Sequence, residues 1–250
     1  MEKNERKIKR KIRKIKGWMY LVGLVIILGA LLFVFKAPFF NVANFEVKGN
    51  HYYSDDEVIN MGNCSTGGNI FLDVDCQEIK ERLIKDPYMP QVNVRRKIPN
   101  TIEINITERT QVAGIVYGKS YVVIDQEGVV LRKTSVDPKV TILRGMNISK
   151  LTLGEPIEIE EDVLFRQSMD IVRAMRENGM YFKSVIVKED GAKAYVLDSL
   201  VVSGLAENIV TALENKDIQL VVQELFNQKI ERGTIKVTGD NYVSFTPKVG

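Results

Sequence analysis

The chain is poor in the groups that do most enzyme chemistry: it has one histidine, two cysteines and one tryptophan in 250 residues. With His51 alone beside Cys64 and Cys76, there are too few ligands for a common zinc arrangement. No Ser-x-x-Lys, Lys-Thr-Gly or Gly-x-Ser-x-Gly occurs, so the nucleophile motifs of penicillin-binding proteins and of many hydrolases are missing. His51 follows Gly49-Asn50 at a strand end, the place of a turn residue rather than a base. The acidic pairs Asp55-Asp56 and Glu160-Glu161-Asp162 sit at helix starts, where they favour the helix dipole more readily than they act as a glycosidase pair. These absences shift weight from catalysis to binding.

Charge is also missing from one long stretch. Gly17 to Phe35, GWMYLVGLVIILGALLFVF, holds nineteen residues without a charge between Lys16 and Lys36, twelve of them Leu, Ile, Val or Phe. As a helix rising about 1.5 Å per residue it reaches roughly 28 Å, the hydrocarbon thickness of a bilayer. It is apolar all round, unlike a core helix with a wet side. A signal peptide has a shorter apolar region and a small-residue cleavage site, neither of which is present. No small residue lies four positions from another, so GxxxG-type pairing is not signalled.

The formal charge of +3 is unevenly spread, because nine Lys or Arg against two Glu give the first sixteen residues +7 and leave −4 for the rest. Basic residues beside an anchor set its orientation. The expectation is a single-pass type II membrane protein: a cytoplasmic tail over 1–16, a transmembrane helix over 17–36 and the bulk of the chain outside. A nucleic-acid arm or a specific lipid site is the weaker reading of the tail. In an oxidising compartment Cys64 and Cys76 are a candidate disulfide, worth about 3 kcal/mol for a loop of a dozen residues. Two half-buried thiols are the equal alternative.

Beyond Pro38, alternation predicts a strand over 42–48 with Phe45 and Val47 on one face. Ser54-Asp-Asp-Glu57 and Asp75-Cys-Gln-Glu78 both have capping-box spacing and open two short helices. Gln91 to Ile98 and Thr101 to Glu108 form a hairpin across Pro99-Asn100. Strand, helix, helix, strand, strand is an α+β module in which two helices cover one face of a three-stranded sheet.

These residues carry a resemblance. FEVKGNHYYSDDEVINM followed by NIFLDVDCQEIKERLIKDPYMPQVNVRRKIPNTIEINITER resembles the POTRA module of the FtsQ/DivIB family of cell-division proteins. The shared features are the strand ending in Val-Lys-Gly-Asn, the helix-opening Ser54, and Pro90, Val92, Arg96, Pro99, Ile102, Ile104, Glu108 and Arg109 in their spacing. Asn93 stands where the family often has Ala or Ser. The resemblance continues into VAGIVYGKSYVVIDQEGVVL, which is similar to the start of the family's second extracellular domain. It implies a POTRA domain over 40–109 and a second extracytoplasmic domain over 110–247.

The second domain is expected to be mixed α/β with a curved antiparallel sheet. Its strands read at 112–117, 121–125, 129–131, 140–144, 184–188, 194–197 and 200–203, with an irregular stretch over 145–160. Its helices read at 161–178, 206–214 and 217–229, and a closing hairpin pairs 234–238 with 242–246. In the last strand Val243 and Phe245 face the core, while Tyr242, Ser244 and Thr246 face outward. An unpaired outer edge there can take a partner's extended segment. The resemblance implies partners of the FtsB/DivIC and FtsL type, bound through this last part of the domain. It implies a divisome scaffold at the septum, linked through those partners to the septal wall synthases, with no cofactor and no catalysis. A membrane-tethered POTRA chaperone or secretion accessory is the alternative, and a wall enzyme comes third. For Arg95, Arg96 and Lys97 at the hairpin tip, a solvated, aggregation-resistant end is favoured over lipid or partner contact.

Overall fold

The computed structural model describes residues 18–30, 33–239 and 242–248. The basic tail and Gly17 lie outside the described residues. Helix α1 (Trp18–Phe35) has a mean hydropathy of 2.6, with none of its apolar window buried against the protein. The chain then forms two compact units, the first running to Glu108 and the second from Arg109, with Asp86–Pro90 counted in the second.

In the first unit, β1 (Asn44–Lys48), α2 (Asp55–Met61), α3 (Cys76–Leu83), β2 (Gln91–Lys97) and β3 (Thr101–Thr107) follow in the expected order. The sheet order is β1-β3-β2, with β1 parallel and β2 antiparallel to β3. Strand β3 is therefore central, and Ile102, Ile104 and Ile106 are buried along it with Val58, Ile79 and Leu83 of the helices. Ser54 forms the predicted capping box: its side chain accepts from the Glu57 N–H, and Glu57 accepts from the Ser54 N–H. The second box is only half made. Asp75 accepts from Gln77 and Glu78, but Glu78 is drawn away to Arg82 one turn on.

Among the described residues of this unit one charged side chain is buried. Glu103 on β3 is buried and accepts from Asn105 Nδ2 at 2.7 Å, Lys48 Nζ at 2.9 Å and Arg95 Nε at 2.7 Å. These donors, Asn105 foremost, hold its carboxyl at about 2 against an ordinary 4.5. A depressed folded-state pKa contributes stability above the unfolded value, and that stability is lost as pH falls through the folded one. Glu46, held down by Lys97, and Glu57, held down by Ser54, act with the same sign. The first unit should therefore lose hydrogen-exchange protection as full-length protein is acidified from about pH 4.5 towards 2, and Glu103→Gln should flatten that dependence. An unaltered slope in the variant would remove Glu103 as its source.

The second unit is built on a nine-stranded sheet. Its strands are β4 (Ala113–Tyr117), β5 (Ser120–Ile124), β6 (Val130–Thr134), β7 (Thr141–Arg144), β10 (Ser184–Lys188), β11 (Gly191–Tyr195), β12 (Leu200–Gly204), β13 (Gly233–Val237) and β14 (Val243–Pro247). They lie in the order β14-β13-β12-β11-β10-β7-β4-β5-β6. The sheet is mixed rather than antiparallel throughout. Helix α4 (Asp162–Glu177) connects β7 to its parallel neighbour β10, and α5 (Ala206–Glu214) with α6 (Asp217–Asn227) connects β12 to its parallel neighbour β13. Strands β4 and β7 are also parallel. Parallel neighbours need crossovers of this length, and the helices supply them.

Ile171, Val172 and Met175 of α4, Ile209 and Leu213 of α5, and Ile218, Val222 and Leu225 of α6 pack against Leu143, Val185, Ala194, Val202 and Ile235 of the sheet. The stretch 145–160 read as irregular contains a small two-stranded sheet, β8 (Ile148–Lys150) with β9 (Glu158–Ile159).

Candidate partner-binding edge

The two larger sheets have four edges between them, and three of these are defended. Strand β6 is closed at its start, where Val130 N–H donates to the Glu155 carbonyl at 2.9 Å and Gly154 N–H donates to that of Val130 at 2.8 Å. Arg132 and Lys133 occupy the rest of it. In the first unit, β1 carries Glu46 and Lys48, and β2 carries Arg95, Arg96 and Lys97. Charged edge residues resist strand addition. The fourth edge, β14, reads VSFTP and bears no charge. Among the described residues its only strand neighbour is β13.

The register shows what that edge offers. Thr238 N–H donates to the Tyr242 carbonyl at 3.0 Å, and hydrogen-bonded pairs alternate along an antiparallel ladder. With pairing from Val237↔Val243 to Gly233↔Pro247, Tyr242, Ser244 and Thr246 turn their backbone groups towards β13. Val243, Phe245 and Pro247 turn theirs outward. Pro247 thus lacks an N–H only on the outer side, where an edge strand tolerates it. A proline at Ser244 would break the bond to β13 rather than block the outer edge.

The side chains alternate as the sequence reading expected. Val243 and Phe245 pack against the core, Ser244 is half-buried and Thr246 exposed, and Tyr242 is 65% exposed. Phe245 lies over Gly233, where a Cβ would come within 2.4 Å of the ring and 2.7 Å of the Thr246 carbonyl. The backbone of Gly233 has φ +147, a value favouring glycine. Glycine at this position lets the aromatic ring seat β14 on the sheet.

Sequence reading missed the surface beside the edge. Lys236 pairs with Ser244 across the ladder, and a groove of about 710 Å³ runs past it along Lys188, Lys193, Tyr195 and Ser203. Its lysines come from β10, β11 and β13, and β13 joins the first two only through the α5–α6 crossover that sets it beside β12, so no local pattern in the sequence signals them.

The remaining sequence candidates are placed elsewhere. The bridge between Cys64 and Cys76 is not formed: both are free and half-buried. Burial pushes the Cys64 thiol up to about 11 and that of Cys76 in the same direction, which leaves little reactive thiolate at neutral pH. His51 lies in the bend after β1, its N–H donating to Glu108 Oε2 at 2.5 Å, with Tyr52 N–H on the same oxygen at 2.6 Å. Glu108 thereby pins that bend. The next residue, Arg109, serves the second unit by pairing with Asp125 and Glu127. Among the described residues no group of three or more His, Cys, Asp or Glu could hold a metal ion.

Residues 40–109 match the FtsQ-type POTRA domain family. Over 197 residues the chain is 29% identical to the cell division protein DivIB of Clostridium acetobutylicum, covering 78% of this chain and 79% of that protein. It is 34% identical over 125 residues to DivIB of Clostridium tetani, covering 49% of this chain and 47% of that one. It is 33% identical over 110 residues to the cell division protein FtsQ of Corynebacterium glutamicum, covering 43% and 49%. The chain thus spans about half the length of the latter two relatives. The solved extracytoplasmic domain of DivIB from Geobacillus stearothermophilus aligns with 47% of this chain and 95% of that domain, at a TM-score of 0.31 and 14% identity. A superposition that loose bears on neither fold nor function.

Proposed function

Because the chain carries an FtsQ-type POTRA domain and is a relative of the DivIB/FtsQ cell-division proteins, we propose that it is a non-catalytic divisome scaffold. It is held in the cell membrane by α1 with its N-terminus in the cytoplasm. It assembles the septal wall-synthesis complex by binding other single-pass division proteins of the FtsB/DivIC and FtsL type. The observation that supports this reading is β14: an uncharged strand whose outer edge has no strand neighbour among the described residues, where the other edges of the two larger sheets are charged or covered. An extended partner segment adds to the outward backbone groups of Val243 and Phe245. An acidic residue on the groove side of that segment would meet Lys236, the cross-strand neighbour of Ser244. Tethering all partners to one membrane raises their effective concentration, so a modest edge affinity suffices.

A fluorescent fusion should gather at the division septum, and depletion should give filaments. Uniform labelling of the envelope with normal division on depletion would instead favour a secretion accessory.

A further inference from the structure

The segment that leaves α1 is laced to a loop of the first unit. Asn69 Nδ2 donates to the carbonyl of Phe35, the last residue of the helix, at 2.7 Å. Ile70 N–H donates to the Phe40 carbonyl and Val42 N–H to that of Gly68, both at 2.8 Å. The Phe71 ring meets Phe35 edge-on at 5.3 Å between centroids and Phe40 at 5.4 Å, while Phe39 abuts Phe40 at 5.2 Å.

The loop is held in shape. Asn69 Oδ1 accepts from the N–H groups of Phe71 and Leu72, and Asp73 accepts from that of Asn69 at 2.7 Å. It presents Leu72 at 60% exposure, and the segment bonded to it presents Phe39 at 66%. Ala43 N–H donates to the Asn100 carbonyl, which brings the β2–β3 turn, with Ile98 at 63% exposure, to the same end of the unit.

A helix whose apolar length matches the hydrocarbon ends at the headgroup boundary. Aromatic and aliphatic side chains at that level settle a few ångströms into the interfacial layer. We infer that the loop 67–73 is a membrane-contact loop: Phe39, Phe71 and Leu72 enter the bilayer interface around the exit of α1 and fix the attitude of the first unit on the membrane. This rests on α1 spanning the bilayer. Lipid is the occupant because the ring cluster is continuous with Phe35, which already stands in the bilayer, and Lys36 beside it suits anionic headgroups.

The chain has a single tryptophan, so a Trp18→Phe background has no tryptophan emission, and excitation at the red edge of the absorption band avoids its tyrosines. In that background, full-length Leu72→Trp and Phe39→Trp proteins are reconstituted into vesicles whose lipids are brominated near the top of the acyl chain. His51→Trp, beyond the far end of β1, is the control. Emission from Leu72→Trp and Phe39→Trp should be blue-shifted and at least halved by the brominated lipid, and that from His51→Trp unchanged. Quenching at Leu72 and Phe39 no greater than at His51 overturns the proposal, including the case in which a protein partner, absent from the vesicles, covers the patch. Flotation of the same vesicles reports the anchor separately, and protein that does not float overturns the spanning reading and this one with it.

Discussion

Val243→Pro in the full-length protein should leave the second unit folded and weaken capture of its division partners about tenfold or more, equivalent to ~1.4 kcal/mol. The N–H at this position points away from β13 by the register of the closing hairpin, so the substitution removes no bond within the protein. It removes one donor from the docking edge, and the ring obstructs the strand that would lie there. A ladder bond contributes about 0.5–1.5 kcal/mol net, and the steric obstruction adds to it. The check is capture of partners from solubilised membranes, alongside thermal melting of the same sample. Ser244→Pro is the informative contrast, because its N–H faces β13 and the hairpin itself should loosen. Undiminished capture by a Val243→Pro protein that melts like the parent would sink strand addition at β14.

Arg109→Ala should be the costliest single change at the head of the second unit, at about 3 kcal/mol. Asp125, whose side chain is 4% exposed, accepts from the N–H groups of Glu127 and Val129 at 2.9 and 2.8 Å with one oxygen. It gives the other to Arg109. It thereby closes the turn between β5 and β6, and deleting Arg109 leaves its charge buried without a counterion. The loss should fall towards the low end of what a broken buried pair costs, because Arg109 is itself 21% exposed. In the Arg109→Ala/Asp125→Asn double variant stability should partly return, since Asn keeps the acceptor that holds the turn and drops the orphaned charge. Denaturant unfolding of the four proteins of this cycle measures the coupling. A single variant within about 0.5 kcal/mol of the parent would mean that Asp125 is satisfied without Arg109.

Most of the fold was legible where the physics is local. Ser54 three residues before Glu57 makes its box, and Ile102, Ile104 and Ile106 alternate into the first core. The apolar spacing of α4 places Ser168, Ile171, Val172 and Met175 inside. Legibility failed where a distant residue decides. Glu78 has the spacing of a capping residue but finds Arg82 a better partner. The strands β8 and β9 are too short to show a period.

The candidate edge divides along the same line. That Val243 and Phe245 face inward follows from alternation alone. Which backbone groups point outward depends on how 234–238 registers against 242–246, and that parity is set by the turn between them. The lysines of the groove needed the strand order itself, and Glu108 and Arg109 showed only as members of a pattern until their separate partners were visible.

The placement of β3 between β1 and β2 also sets an order of assembly. Chains emerge from the ribosome N-terminus first, so β1 appears early, but Asn44 has no strand to pair with until Thr101 arrives. Until then the α2 and α3 segments have no complete sheet to cover, and the hydrophobic residues of β1 are without a neighbour. The three-stranded sheet can be completed only once β3 is available to lie between β1 and β2. Its folding is paced by a contact nearly sixty residues long, which makes the interval before that step the time when the nascent chain is most open to a chaperone or a protease.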